Sequence, residues 1–338
     1  MKIGKGPKSS IKLNDQILEE TESYKYLGEL FNIKGNMAAH IKTLEGKIHA
    51  ATQNIIAETG NREFKGIKMQ AIWQMAEAIL IPILTYGAES WDLSKKEAEQ
   101  VQTIFNKAIK TIMFMPSATP TTILLTETGF IPIEQVIDQK RIMQARRISE
   151  KPDSSLIKRL TPLNNSLWQA GTQKLLIKYN IEQELIEGKK GPLLRKINSN
   201  KVALIKRKIA TETEEKTKTK HWAQLKDTIE PSKRPDYMNK LNRKQCNAIL
   251  KTRSSMLPVK NNQKSQYSTD LTCRFCRQQE ENQEHILQDC NSVPGNDTKK
   301  LAYREIFKDK DHKTLGKAAD RIIEIIAILE ETRTGEQQ

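Results

Sequence analysis

Apolar residues recur at alternating spacings of three and four from Ile41 through Leu44, Ile48 and Ala51 to Ile55. That spacing predicts a helix of about twenty residues with one apolar stripe, closed by Gly60-Asn61. A second helix is expected from about Lys65 to Leu80, with Met69, Trp73, Ala76 and Leu80 on one face and Pro82 as its stop. Ser94-x-x-Glu97 reads as a capping box for a third, whose Ala98, Val101, Phe105, Ala108 and Ile112 point one way until Pro116 and Pro120. Pro132 suits the first turn of a fourth, continuing to about Ile148. Alternation with period two is confined to residues 8–31: Ile11-Lys12-Leu13, a turn at Asn14-Asp15, Ile17-Leu18, then Tyr24-Lys25-Tyr26-Leu27.

Beyond Lys151-Pro152-Asp153 the helical pattern thins. Trp168, Leu175, Leu176, Tyr179 and Leu185 suggest one helix, broken by Gly188-Lys-Lys-Gly191-Pro192. Shorter helices are expected over Val202–Ile209, Trp222–Ile229 and Tyr237–Leu250, with a polar loop at 258–270 and a turn at Pro294-Gly295-Asn296-Asp297. Leu315, Ala319, Ile322, Ile326 and Leu329 mark a last amphipathic helix. The fold class is therefore mainly α. Its expected order is a hairpin region (1–35), a four-helix unit (36–150), a helical linker (151–262), a cysteine-rich module (263–297) and C-terminal helices (298–338).

Charge sharpens this division. The formal net charge is +15, and residues 189–264 alone hold 21 Lys and Arg against 6 Asp and Glu. One segment thus carries the whole imbalance. A basic field of that size is the footprint of phosphate binding through counterion release, so RNA, DNA or an RNA–DNA duplex becomes the expected partner. Lys206, Arg207, Lys208, Lys233, Arg234, Arg243, Lys244 and Arg253 are the candidate phosphate contacts. The alternative is a solvated linker that is basic for solubility. At 37% hydrophobic and 5% aromatic, the composition suits helical modules better than one large compact enzyme. No apolar leader or run of membrane-spanning length is present, so a soluble, intracellular protein, nuclear or cytoplasmic and not secreted, is expected. In that compartment the triplet Asn296-Asp297-Thr298 carries no meaning as a glycosylation site.

Three of the four cysteines and one of the five histidines fall in Cys273-x2-Cys276-x8-His285-x4-Cys290. A thiolate pair two residues apart can grip one ion from a tight turn formed by Arg274 and Phe275. His285 and Cys290, five apart on a short helical segment, can then complete a tetrahedron. This predicts a structural zinc site, whose four protein ligands leave no open position for water. The alternative is a chance cluster of reduced thiols. Cys246, far away in a helical pattern, reads as a buried thiol.

Three phrases in order carry a resemblance: Tyr24-Lys25-Tyr26-Leu27-Gly28, then Pro82-x-Leu84-x-Tyr86-Gly87-x-Glu89-x-Trp91, then Cys273-x2-Cys276 with its Glu-x3-His-Ile-Leu-x2-Cys ending. Between them stand Pro116, Thr119-Pro120, Leu124 and Glu127-Thr128-Gly129-x2-Pro132. The set, which spans nearly the whole chain, resembles the downstream half of a non-LTR retrotransposon reverse transcriptase. The resemblance implies that Tyr26, Leu27 and Gly28 form the turn at the palm–thumb junction that steadies the primer end. It also implies that the four helices are a thumb along the minor groove, the basic segment a linker, and the Cys/His site a zinc knuckle. An A-like duplex offers backbone and shape in a wide minor groove, which helices bearing Lys and Arg can grip. Trp222 and Phe275 are candidates for stacking on unpaired bases, with ordinary packing as the alternative.

The family's palm holds two Mg²⁺ ions through an aromatic-x-Asp-Asp hairpin, and this chain has no Asp-Asp pair. The resemblance therefore implies a C-terminal fragment starting at an internal methionine. It would lack polymerase activity alone and would work with the absent palm and fingers. No nuclease-like acidic cluster follows Cys290. The eight-residue gap from Cys276 to His285 exceeds the four of retroviral nucleocapsid knuckles, so sequence-specific RNA packaging is not implied. Two other readings compete. One is a stand-alone, zinc-stapled helical protein-interaction module whose last helix pairs with a partner. The other, a hydrolase, has only His40 and His49, with no carboxylate or nucleophile at a telling spacing.

Overall fold

Helices dominate the computed structural model, which describes residues 12–14, 16–18, 21–60, 67–163, 167–183, 190–215, 234–263, 270–296, 301, 303–308 and 311–336. The chain opens on two small antiparallel hairpins. Strands β1 (Lys12–Leu13) and β2 (Gln16–Ile17) form the first, β3 (Ser23–Tyr26) and β4 (Glu29–Asn32) the second. Tyr26 pairs with Glu29, so Leu27 and Gly28 are the two central turn residues, at φ 47° and 90°. Positive φ at both positions matches the right-handed twist of the flanking strands, and only glycine adopts it without cost. Leu27 thus belongs to the turn, not to the strand expected over 24–27.

Twelve α-helices follow among the described residues: α1 (Ala38–Glu58), α2 (Met69–Leu84), α3 (Lys95–Ile112), α4 (Thr121–Thr128), α5 (Ile133–Ser149), α6 (Leu156–Leu163), α7 (Leu167–Tyr179), α8 (Lys190–Glu215), α9 (Asp236–Lys240), α10 (Arg243–Arg253), α11 (Tyr303–Lys308) and α12 (His312–Glu336). The stripe Ile41, Leu44, Ile48 and Ile55 is buried on α1, as are Met69, Trp73, Ala76 and Leu80 on α2. Pro82 does not stop α2 but lies in its last turn. There its missing N–H costs a single bond, and the ladder resumes with Thr85 N and Oγ1 both donating to Ile81 O, at 3.0 and 2.8 Å. The box at α3 is formed: Ser94 N and Oγ donate to Glu97 Oε2 at 2.9 and 2.6 Å. The other oxygen of Glu97 accepts from Met37 N at 2.8 Å, so one carboxylate holds the entry to α1 as well. Burial alone would raise the Glu97 pKa, but the Ser94 side chain and the Ser94 and Met37 amides outweigh it and bring it below the usual value.

Several boundaries differ from the sequence expectation for identifiable reasons. Residues 116–132 hold a helix, α4, ended by Gly129 at φ 69°, where a helix end alone was expected. Lys190–Glu215 is one helix of 26 residues, because Gly191-Pro192 falls in its first turn where proline lacks only an unneeded donor. The helix expected over 237–250 is two. Leu241 turns extended, and Asn242 opens α10 with a capping box whose side chain accepts from Gln245 N. Leu185 and the expected helix at 222–229 lie outside the described residues. No helix among the described residues is long and apolar enough to cross a membrane.

The chain forms two compact units, each discontinuous in sequence. Unit one comprises Met1–Gln53, Glu77–Ala108 and Pro132–Asn198; unit two comprises Asn54–Ala76, Ile109–Ile131 and Ser199–Gln338. In unit one, Glu29 is buried and accepts from Trp91 Nε1 at 3.1 Å, and Trp168 Nε1 donates to Glu89 O at 2.8 Å. Gly87, at φ 72°, leaves room for that carboxylate, since a Cβ there would lie 1.4 Å from Glu29 Oε1. Gly28 likewise faces the Tyr86 ring, 3.2 Å from where its Cβ would be. The first two phrases of the resemblance are therefore physically joined, through Glu29, Gly87, Tyr86 and Trp91.

Unit two is joined by longer tethers. Arg253 is 3% exposed and Glu127 fully buried, and Arg253 Nη1 reaches both carboxylate oxygens at 2.9 Å. Arg253 Nε and Nη2 also donate to Ile306 O at 3.0 and 2.8 Å, while Tyr237 Oη donates to the same Glu127 carboxylate. Cys246 is buried beside this network, its Sγ 3.5 Å from Tyr237 O, and burial raises its thiol pKa. Met69 N donates to Leu241 O at 3.1 Å, and Lys68 bridges Asn242. The segment expected to be a linker thus supplies core elements of unit two.

Candidate metal centre

A tight turn and a widened, under-wound helical turn bring Cys273, Cys276, His285 and Cys290 together. Residues 271–281 double back, with Cys273 N donating to Gln279 O at 2.7 Å and Glu281 N to Leu271 O at 2.8 Å. Arg277 N then closes onto Cys273 O at 2.9 Å, with Arg277 at φ 55°. That closure leaves Arg274 and Phe275 between the two thiols, and Phe275 is half-buried. On the other side, His285–Asp289 is a π-turn in which Cys290 N donates to His285 O at 2.7 Å. A bond from i+5 to i is what brings positions 285 and 290 onto one side, and such turns concentrate at functional sites.

The four ligand atoms all lie within 4.8 Å of one another. Cys273 Sγ and Cys290 Sγ are 3.9 Å apart, and Cys276 Sγ is 3.3 Å from His285 Nε2. A tetrahedron with metal–sulfur bonds of about 2.3 Å has edges of about 3.8 Å, so the cage has the size of one four-coordinate ion. Cys273, His285 and Cys290 are buried and Cys276 half-buried. None of the cysteines forms a disulfide. Burial raises the Cys273 thiol and lifts Cys290 to about 12. Burial acts the same way on Cys276, but the Gln278 amide, His285 and Cys273 outweigh it and bring its pKa down to about 6. A cation held by these groups would displace the thiol protons, since only the thiolate ligates.

Buried polar groups brace the cage. Glu281, fully buried, accepts from Arg274 Nε at 2.8 Å, Arg274 Nη2 at 2.7 Å and Lys260 N at 2.9 Å. Arg274 Nη1 continues to Leu329 O at 3.0 Å, so the residue between the first two thiols is tied to α12. Asn296, also fully buried, donates to Ile286 O at 2.9 Å and Cys290 O at 3.0 Å, and accepts from Arg321 Nη2 at 2.8 Å. Gln283 reaches Thr252 O and Tyr303 Oη through Nε2, at 3.0 and 3.1 Å. These supports fix the π-turn and the thiol loop independently, which is how outer groups orient ligands. Sequence reading missed all of them. Asn296 was assigned only to a turn, and Arg274 only to the thiol loop.

The candidate phosphate contacts scatter. Lys206 and Arg207 are exposed on α8, and Lys244 is exposed on α10. Lys233 and the side chain of Lys208 lie outside the described residues, as does Trp222. Arg253 corrects the expectation of a surface contact, because its guanidinium is consumed by Glu127 and Ile306 inside unit two. Arg243 is a second correction. It is 8% exposed, donates to Gly60 O at 2.9 Å and to Thr59 Oγ1, and stacks 5.2 Å from the Phe114 ring. Half-buried Arg234 donates to Thr128 O at 2.7 Å and sits 5.6 Å from the Trp73 ring. The turn residues Tyr26 and Leu27 are exposed, at 58% and 72%. No protein-family model, curated protein or solved structure matches the chain.

Proposed function

We propose that this chain is the nucleic-acid-gripping portion of a reverse transcriptase of the non-LTR retrotransposon type, spanning a thumb, a basic linker and a zinc knuckle. The observation that carries the reading is the joining of its first two signature phrases. Glu29, which follows Tyr26-Leu27-Gly28, packs under Trp91 and against Gly87 of the second phrase. In this reading the exposed turn at Tyr26 and Leu27 meets the primer end, and Lys206 and Arg207 on α8 meet phosphates. Zinc is the ion for Cys273, Cys276, His285 and Cys290, since three thiolates and an imidazole at tetrahedral spacing favour it. Its role is structural: it would pin the thiol loop to the π-turn. The residues that would hold Mg²⁺ for nucleotidyl transfer belong to the family's palm and not to this chain.

Binding of a labelled RNA–DNA duplex, titrated with salt, tests the reading. Affinity is expected to fall about a thousandfold or more from 50 to 200 mM salt if several phosphates are neutralised. Replacing Lys206 and Arg207 by alanine should reduce that slope. A chain that fails to bind the duplex at low salt would overturn it.

A further inference from the structure

Within unit two, a groove of about 610 Å³ runs between α10, α12 and residues 111–116. Its floor is aliphatic: Met115 and Pro116 on one side, Ile323, Ile326 and Ala327 of α12 on the other. Its α10 wall is different. Arg243, Lys244, Asn247 and Lys251 follow at i, i+1, i+4 and i+8, the spacing of one helix face. The lining also includes one acid, Glu330, so the balance is basic.

Arg243 makes the wall more than a solvated charge run. It is more than nine-tenths buried, and its hydrogen bonds go to the neutral acceptors Gly60 O and Thr59 Oγ1. Its Nε has no partner, and no carboxylate pairs with it among the described residues. A buried cation without a counter-charge is costly, and an incoming carboxylate near it recovers part of that cost. We propose that the groove receives an acidic amphipathic helix of a partner protein, its aliphatic stripe on the floor and its acids along α10.

Two features favour a helix over a nucleic-acid strand. Base stacking needs an open aromatic face, whereas the groove's Phe114 lies under the Arg243 guanidinium at 5.2 Å. Aliphatic positions on α12 and at Met115-Pro116 instead suit the i, i+3, i+4 and i+7 anchors of a docked helix. Glu330 disfavours a polyanion along the full groove. The inference does not rest on the nucleic-acid reading above.

The test uses the full chain with its metal loaded and a short fluorescent peptide carrying leucine at i, i+3, i+4 and i+7 with glutamate between. A scrambled peptide of equal composition and an oligouridine strand serve as comparisons. The ordered peptide should bind, and Lys244→Glu with Lys251→Glu should weaken it about tenfold or more. Ala327→Trp, at an exposed position, should fill the groove and block the peptide while metal content and helicity stay unchanged. The proposal is overturned if scrambled and ordered peptides bind alike, or if both variants leave binding intact. It is equally overturned if Ala327→Trp displaces oligouridine and not the peptide, since the groove would then belong to a nucleic-acid strand.

Discussion

The two units are stabilised by different means. Unit one buries apolar helix faces and adds carboxylate fasteners, Glu97 over two helix entries and Glu29 under Trp91, with ion pairs that stay partly exposed, Lys178–Asp138 and Arg141–Asp92. Unit two contains a Cys/His cluster able to hold a metal ion and two nearly dry ion pairs, Arg253–Glu127 across 126 positions and Arg274–Glu281 within one loop. The contrast matters because apolar packing degrades gradually, whereas a buried charge network fails abruptly when one member is lost. Unit two should therefore be the more brittle, and the more sensitive to removal of any ion held by its Cys/His cluster.

Chelation should break the comparison most severely. Structural zinc binding contributes about 10–16 kcal/mol in small modules, so stripping the ion should unfold the segment around 270–296. The helices of unit one should keep their amide protection in hydrogen exchange. Uniform loss of protection across both units would contradict the difference. Next in size is Glu127→Ala, which strands Arg253 and should cost about 3–5 kcal/mol by denaturant titration. The double replacement Glu127→Leu with Arg253→Met should recover much of that loss. If the single change is as mild as a surface one, the pair is not what holds α4 to α10.

Within unit one, Gly87→Ala should cost about 1–3 kcal/mol, because a side chain at φ 72° is strained and would displace the Glu29 carboxylate. Its signature is a red shift of Trp91 fluorescence together with the loss in stability. The smallest effect is Glu97→Gln, about 1 kcal/mol at neutral pH. The folded pKa of Glu97 lies below its ordinary 4.5, so its contribution is present above that value and lost as pH falls towards the folded one. In the Gln variant, stability should change less over that acidic window, measured by thermal melts at stepped pH.

Features set by near neighbours were legible in the sequence, and long-range ones were not. The Ser94-x-x-Glu97 box, the α1 stripe and the grouping of Cys273, Cys276, His285 and Cys290 depend on residues close in the chain, and the box and stripe form as expected while the four side chains come together. The π-turn at His285–Asp289 follows from the same local spacing of five. Glu127 and Arg253 stand 126 positions apart, and nothing in the local pattern of either announces a partner. Counting charges therefore placed Arg253 on a phosphate-binding surface when it is interior, and Arg243 there when its guanidinium is largely buried against Gly60 and Thr59. The reading of Pro82 as a stop failed because a proline in the last turn removes one bond without ending the ladder. The supports of the cluster were invisible for a different reason: much of what Asn296 and Gln283 bind is backbone, the carbonyls of Ile286, Cys290 and Thr252, which leaves no trace in residue type.

The most direct test of the central claim is the metal stoichiometry of the full chain and of Cys276→Ser, by elemental analysis of purified protein. One zinc per chain, lost or strongly weakened in the variant while unit one stays folded, is the expected result. Unchanged zinc in the variant, or no zinc in the parent chain purified without chelator, would contradict the assignment of Cys273, Cys276, His285 and Cys290 as the ligands that organise unit two.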